Sequence, residues 1–93
     1  MRAALERKTY PKVSVLCVEC DSHPVRARRE LERVFGRAML VVASGGQWTD
    51  PDTGEVQNKL HLYFRLKKPA TGKELARKIH RELAGVAQAA VLA

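Results

Sequence analysis

The sequence predicts an α+β domain of ferredoxin-like or RNA-recognition-like type, a βαββα(β) two-layer sandwich with one open sheet face. Three observations carry this. Residues 60–66 alternate strictly, with Leu60, Leu62, Phe64 and Leu66 on one side and His61, Tyr63 and Arg65 on the other. That pattern describes a strand with one face against helices and one face open. Two earlier apolar runs flank an arginine-rich helical stretch, and a helix-start signal follows the alternating strand. The chain has 93 residues, enough for one domain that buries roughly 60–65% of its unfolded surface.

Residues 1–11 are charged and end at Tyr10-Pro11, so they read as an N-terminal arm or short helix before a single domain over 12–93. Residues 12–20 form the first predicted strand. Val13, Val15 and Cys17 alternate with Ser14, Leu16 and Val18, and both faces are largely apolar, which suits a central strand. Pro24 suits the first position of a helix capped by Ser22 or His23. Val25, Leu31, Val34 and Phe35 supply its apolar stripe, and Gly36 ends it. Ala38–Ala43 is a second apolar strand, which Ser44-Gly45-Gly46 is expected to break. Residues 45–58 are rich in turn formers and read as a long loop. Lys59–Leu66 is the third strand. Thr71-Gly72-Lys73-Glu74 matches a capping box, with Leu75, Ile79 and Leu83 behind it at helical spacing and Gly85 after them. For residues 86–92 periodicity leaves strand and helix both open.

Composition excludes several classes. No apolar run approaches the roughly 20 residues that cross a bilayer, and Met1–Lys8 is too polar for a signal-peptide core. A cytoplasmic protein with no membrane partner is expected. Cys17 and Cys20 form a C-x-x-C, but within a strand they point to opposite faces. A zinc site recruiting His23 lacks a second cysteine pair, so both thiols read as small reduced side chains. The net charge of +7 favours polyanionic partners, nucleic acid first.

Candidate chemistry gathers on the open face. Glu19 and Asp21 are two residues apart near the end of the first strand, a spacing that places both on one face. In a split βαβ topology the first and third strands are neighbours, which brings His61, Tyr63 and Arg65 beside them. Hard ions such as Mg²⁺ or Mn²⁺ take one or two carboxylates plus substrate phosphates, a role that fits Glu19 and Asp21. Ser44, Gly45 and Gly46 are expected to cradle a phosphate with backbone N–H groups. His61 and Arg65 would contact phosphates and Tyr63 would stack on a base. Arg26, Arg29, Arg33 and Arg37 recur at spacings of three and four, a basic stripe suited to nucleic acid. Taken singly, each motif also has an ordinary structural role as a strand end, a turn or a solvated helix face.

Three segments together resemble the archaeo-eukaryotic primase superfamily, in particular the primase-polymerase domains of phages, plasmids and integrated elements. They are Val18-Glu19-Cys20-Asp21-Ser22-His23-Pro24, Val41-Val42-Ala43-Ser44-Gly45-Gly46 and Leu60–Pro69, and the likeness spans about residues 13–80. The resemblance implies a metal-binding role for Glu19 and Asp21 and nucleotide-phosphate contacts for Ser44 and His61. The primase-like reading adds His61 to Glu19 and Asp21 around the same ion. It implies nucleic acid, a nucleoside triphosphate or a replication protein as partners. Glu19 stands where that family usually has aspartate. The family's third acid, on a later strand, has no counterpart in these 93 residues. The resemblance therefore implies the front half of a nucleotidyl-transferring domain, inactive alone, or a small protein derived from one. The alternative expectation is a non-catalytic accessory or inhibitory protein of a mobile element that binds nucleic acid or a nucleic-acid-handling protein.

Overall fold

In the computed structural model the structure describes residues 11–83 and 88–91. Residues 1–10 of the N-terminal arm and Gly85, the expected end of the second helix, lie outside them. The elements run β1 (Lys12–Ser22), α1 (Pro24–Phe35), β2 (Leu40–Thr49), β3 (Val56–Thr71), α2 (Gly72–Leu83) and β4 (Gln88–Val91). Within the tail that periodicity left open, Gln88–Val91 is a strand. The sheet order is β2-β3-β1-β4, and the β2–β3, β3–β1 and β1–β4 pairs are all antiparallel. This is the ferredoxin-like two-layer sandwich that the order of elements predicts.

One face of the sheet meets both helices. Leu16, Val18 and Cys20 of β1 and Leu62 and Phe64 of β3 are fully buried against Ala27 and Leu31 of α1 and Leu75, Ile79 and Leu83 of α2. Over residues 15–20 and 60–66 the alternation thus assigns even-numbered residues to the core and odd-numbered ones to the open face, while Val13, across a shift in register, packs against the core. Phe35 joins this core through the Phe64 ring, with centroids 5.6 Å apart. Val25 does not belong to the apolar stripe of α1. It is 51% exposed, while Ala27 is fully buried. Ala27 stands one helical turn before Leu31, and Val25 lies off that line.

Helix ends follow the sequence closely at α2. Glu74 N–H donates to Thr71 Oγ1 at 3.2 Å, while Thr71 N–H and its hydroxyl donate to Glu74 Oε1 at 3.1 and 2.9 Å. This reciprocal capping box satisfies donors that the first turn leaves open. Gly36 ends α1 with φ 88° and ψ −178°, its N–H bonded to the Glu32 carbonyl at 2.9 Å. Glu32 Oε2 then accepts the Ala38 N–H at 2.8 Å and fixes the turn into β2.

The start of α1 departs from expectation. His23 occupies the cap position in a left-handed conformation (φ 46°, ψ 50°) and makes no side-chain cap bond. The cap comes from elsewhere in the chain: Gln57 Oε1 accepts the Val25 N–H at 3.2 Å. The reason lies in β2 and β3. Ser44-Gly45-Gly46 does not break β2, which continues to Thr49, and β3 begins at Val56. The expected long loop over 45–58 is instead mostly paired strand, and the connection is the short turn 50–55. Asp50 organises it by accepting the Asp52 and Thr53 N–H groups through Oδ1, at 2.8 and 3.3 Å. The extended β2–β3 hairpin places Trp48 opposite Gln57, and both reach the start of α1.

Three irregularities interrupt the ladders. Between Ala43 and Gln47 the β2 chain takes two residues more than its partner segment Leu60–Asn58, so Ser44-Gly45-Gly46 is a bulge rather than a turn. Between Cys20 and Ser22 β1 takes one residue more than β4, which centres a bulge on Asp21. Between Arg65 and Ala70 β3 takes five residue steps while β1 takes two, so the Lys67-Lys68-Pro69 segment bows out of the sheet. Pro69 has no N–H to give the ladder, which suits that position.

Candidate functional site on the open sheet face

The open face is built from the odd-numbered residues of β1 and β3 and the even-numbered residues of β2 nearest them. Antiparallel pairing sets them in rows. Val42, His61 and Glu19 form one row, Leu40, Tyr63 and Cys17 the next, and Arg65 with Val15 a third. Residues opposite one another in such a pair have Cβ atoms roughly 4.5–5.5 Å apart. Glu19 and His61 are therefore direct neighbours, on the adjacent strands that the topology implies. Leu40 is 51% exposed, Val42 39%, and Met39 just before β2 49%. Tyr63 is half-buried between Leu40 and Cys17, and Arg65 is exposed.

Tyr63 and Cys17 are linked beyond their register. A side-chain hydrogen bond with Cys17, together with the charge a Cys17 thiolate would carry, holds the Tyr63 phenol above its ordinary pKa of 10.0. Tyr63 is thus a neutral aromatic group at any physiological pH. Cys20, on the core side, is pushed from 9.0 up to about 12, first by burial and then by the negative charges of Asp21 and Glu19. The two cysteines are free and lie on opposite faces of β1, Cys20 buried and Cys17 half-buried. They do not converge on His23, whose ring is engaged by Trp48.

Only part of the expected metal site assembles. Asp21 sits at the bulge between Cys20 and Ser22, beyond the last β1–β3 pair at Cys20 and Leu60. The two-residue repeat that would stack it beside Glu19 is interrupted there. Among the described residues no three His, Cys, Asp or Glu side chains gather as ligands of one metal ion.

The glycine segment also differs from the expected cradle. Gly45 has φ 94° with open space around it, whereas a Cβ on Gly46 would meet the Lys59 side chain at 3.0 Å. The Lys59 stem crosses Gly46, and the bulge adjoins the row of Val42 and His61.

Arg26, Arg29 and Arg33 are exposed on α1, on the opposite side of the sandwich from the open face, and Arg37 is exposed past the end of that helix, in the connection to β2. The two expected surfaces are thus separate. Arg33 is taken up by carboxylates, bonding Glu30 at 3.2 Å and reaching Glu82 of α2 at 3.5 Å. Arg28, between these stripe positions, pairs with Glu32 at 3.3 Å. Arg33 therefore links the two helices as much as it offers charge to solvent.

Sequence reasoning overlooked the exposed apolar flank of Met39, Leu40 and Val42 and the lysines of the β3 bulge. Lys67-Lys68-Pro69 carried a usable signal, since proline inside a strand pattern marks a bulge or an edge. No described helix is long and apolar enough to cross a membrane. No family model, no curated protein and no solved structure matches the chain.

Proposed function

We propose that the open sheet face binds single-stranded nucleic acid without catalysing its synthesis. The observation that carries this is Tyr63, a neutral, partly exposed ring on a central strand, between apolar Leu40 and Val42 on one side and His61 and Arg65 along its own strand. Bases stack on such rings because every base has a π face, while cationic groups meet the phosphates. The net charge of +7 adds long-range attraction for a polyanion. Fluorescence anisotropy with short labelled DNA and RNA single strands tests the reading. Binding is expected to weaken with salt, and Tyr63→Ala is expected to cost about 1–3 kcal/mol, the worth of one stacked base. Absence of binding to either strand at low salt, or an unchanged affinity in Tyr63→Ala, would sink it.

A second reading retains the primase-polymerase resemblance, and its support is the opposition of Glu19 and His61. On that reading the chain is one part of a larger nucleotidyl-transferring domain of a mobile element. A nucleoside triphosphate would complete with its phosphates what Glu19 and His61 begin around Mg²⁺ or Mn²⁺. Calorimetry decides it: nucleotide binding that requires Mn²⁺ and disappears in the Glu19→Gln, Asp21→Asn double variant supports it. Nucleotide binding that ignores either change removes it.

A further inference from the structure

The helix side of the sandwich holds a cleft of about 780 Å³ that the open face does not explain. It lies where the end of α1, the far half of β3 and α2 meet. Six cations border it: Arg33, Arg65, Lys67, Lys68, Lys78 and Arg81, against the single carboxylate of Glu74. The floor is apolar, with Phe35, Leu66 and Leu75.

These cations are not equally free. Arg33 is held by Glu30 and Glu82, and Lys78 Nζ sits over the Phe35 ring at 5.4 Å from its centroid. Glu74 is occupied by the Thr71 capping bonds. Arg65, Lys67, Lys68 and Arg81 make no ion pair among the described residues. Like charges gathered around one cleft repel one another, and an arrangement of this kind gains most when an anion neutralises several of them at once. The bulge between Arg65 and Ala70 turns Lys67 and Lys68 out of the ladder, beside this cleft. Bulges commonly re-aim side chains in this way.

Arg65 connects the two surfaces. It continues the β3 series of His61 and Tyr63 along the open face, and it also borders the cleft. We infer that the cleft is a phosphodiester-backbone site, in which Lys67, Lys68 and Arg81 neutralise phosphates of the same strand that stacks on Tyr63, with Arg65 at the crossing. The inference rests on the nucleic-acid reading of the open face and extends it to a second, sequence-independent contact.

The test is the salt dependence of oligonucleotide binding, measured by anisotropy on the whole chain. Each neutralised phosphate of a single strand contributes about 0.7 to the slope of log K against log salt. Lys67→Gln with Lys68→Gln is expected to reduce that slope by about 1.4, with an unchanged thermal melt, since both side chains are exposed and outside the core. Tyr63→Ala is expected to lower affinity and leave the slope alone. An unchanged slope in the lysine variant, with wild-type binding intact and Tyr63→Ala weakened, overturns the cleft assignment and spares the open face. A reduced slope with Tyr63→Ala unaffected does the reverse. Inorganic tripolyphosphate gives the remaining arm: if the lysine variant loses tripolyphosphate binding while the nucleic-acid slope stays, the cleft takes a small polyphosphate and the backbone assignment is overturned.

Discussion

The His23 ring packs on the Trp48 ring, with centroids 4.2 Å apart and planes tilted by 50°. This contact joins the first turn of α1 to the β2–β3 hairpin. It also accompanies the left-handed backbone of His23, a conformation that few residues other than glycine, asparagine, aspartate and histidine adopt readily. Next to it, Gln57 supplies the helix with the cap that His23 does not.

The hairpin should therefore stabilise α1 from outside. Gln57→Ala removes the acceptor of the Val25 N–H and is expected to cost about 1 kcal/mol, the usual worth of a cap. Trp48→Ala should cost a similar amount or more, and the double variant should cost less than the sum, because both act on one contact region. Urea unfolding of the four proteins checks this. Strictly additive losses would show that the ring contact and the cap are independent.

The capping box makes a pH prediction. Glu74 is held below its ordinary value of 4.5, chiefly by the Thr71 N–H and then by the Thr71 hydroxyl. Its folded pKa is the lower one, so its stabilisation is complete above about 4.5 and fades as pH falls through the lowered value. Thr71→Ala should lose about 1 kcal/mol at neutral pH and show a shallower acid decline than wild type. Equal acid slopes in the two proteins would refute the assignment.

Gly36 should be intolerant of any side chain. Nothing lies within 4 Å of a Cβ built there, so no clash is involved. The obstacle is backbone conformation, since φ 88° with ψ −178° belongs to glycine almost alone. Gly36→Ala is expected to cost about 1–3 kcal/mol, read from a denaturant midpoint shift at constant slope.

The two thiols should differ sharply. Iodoacetamide at neutral pH is expected to modify Cys17 in the folded protein and to reach Cys20 only on unfolding, because Cys20 is buried and its pKa stands at about 12. The folded chain keeps the Cys20 proton between pH 9.0 and about 12, where the unfolded chain releases it. Stability should accordingly fall as pH rises above 9.0. Cys20→Ala should flatten this alkaline decline relative to wild type. Mass spectrometry of peptides labelled before and after denaturation checks the order of reaction.

Much of this protein was determined by local sequence alone. The alternation at residues 60–66 decided which side of β3 meets the helices, because side chains on a strand point to alternate faces. Leu75, Ile79 and Leu83 decided the buried face of α2, and Thr71 with Glu74 decided where it starts. The order of elements sufficed to place β1 beside β3, while the register that sets Glu19 opposite His61 came only with the pairing itself. Tertiary structure decided the rest. A bulge is a difference in residue count between two paired strands, so neither strand records it alone. That is why Ser44-Gly45-Gly46 reads as a turn in isolation and lies within β2 once paired with β3, and why the bulge at Asp21 is not visible in β1 alone. The same holds for Gln57, a cap lying 32 residues along the chain from the N–H it serves, and for the basic cleft, whose cations come from three elements that only folding brings together.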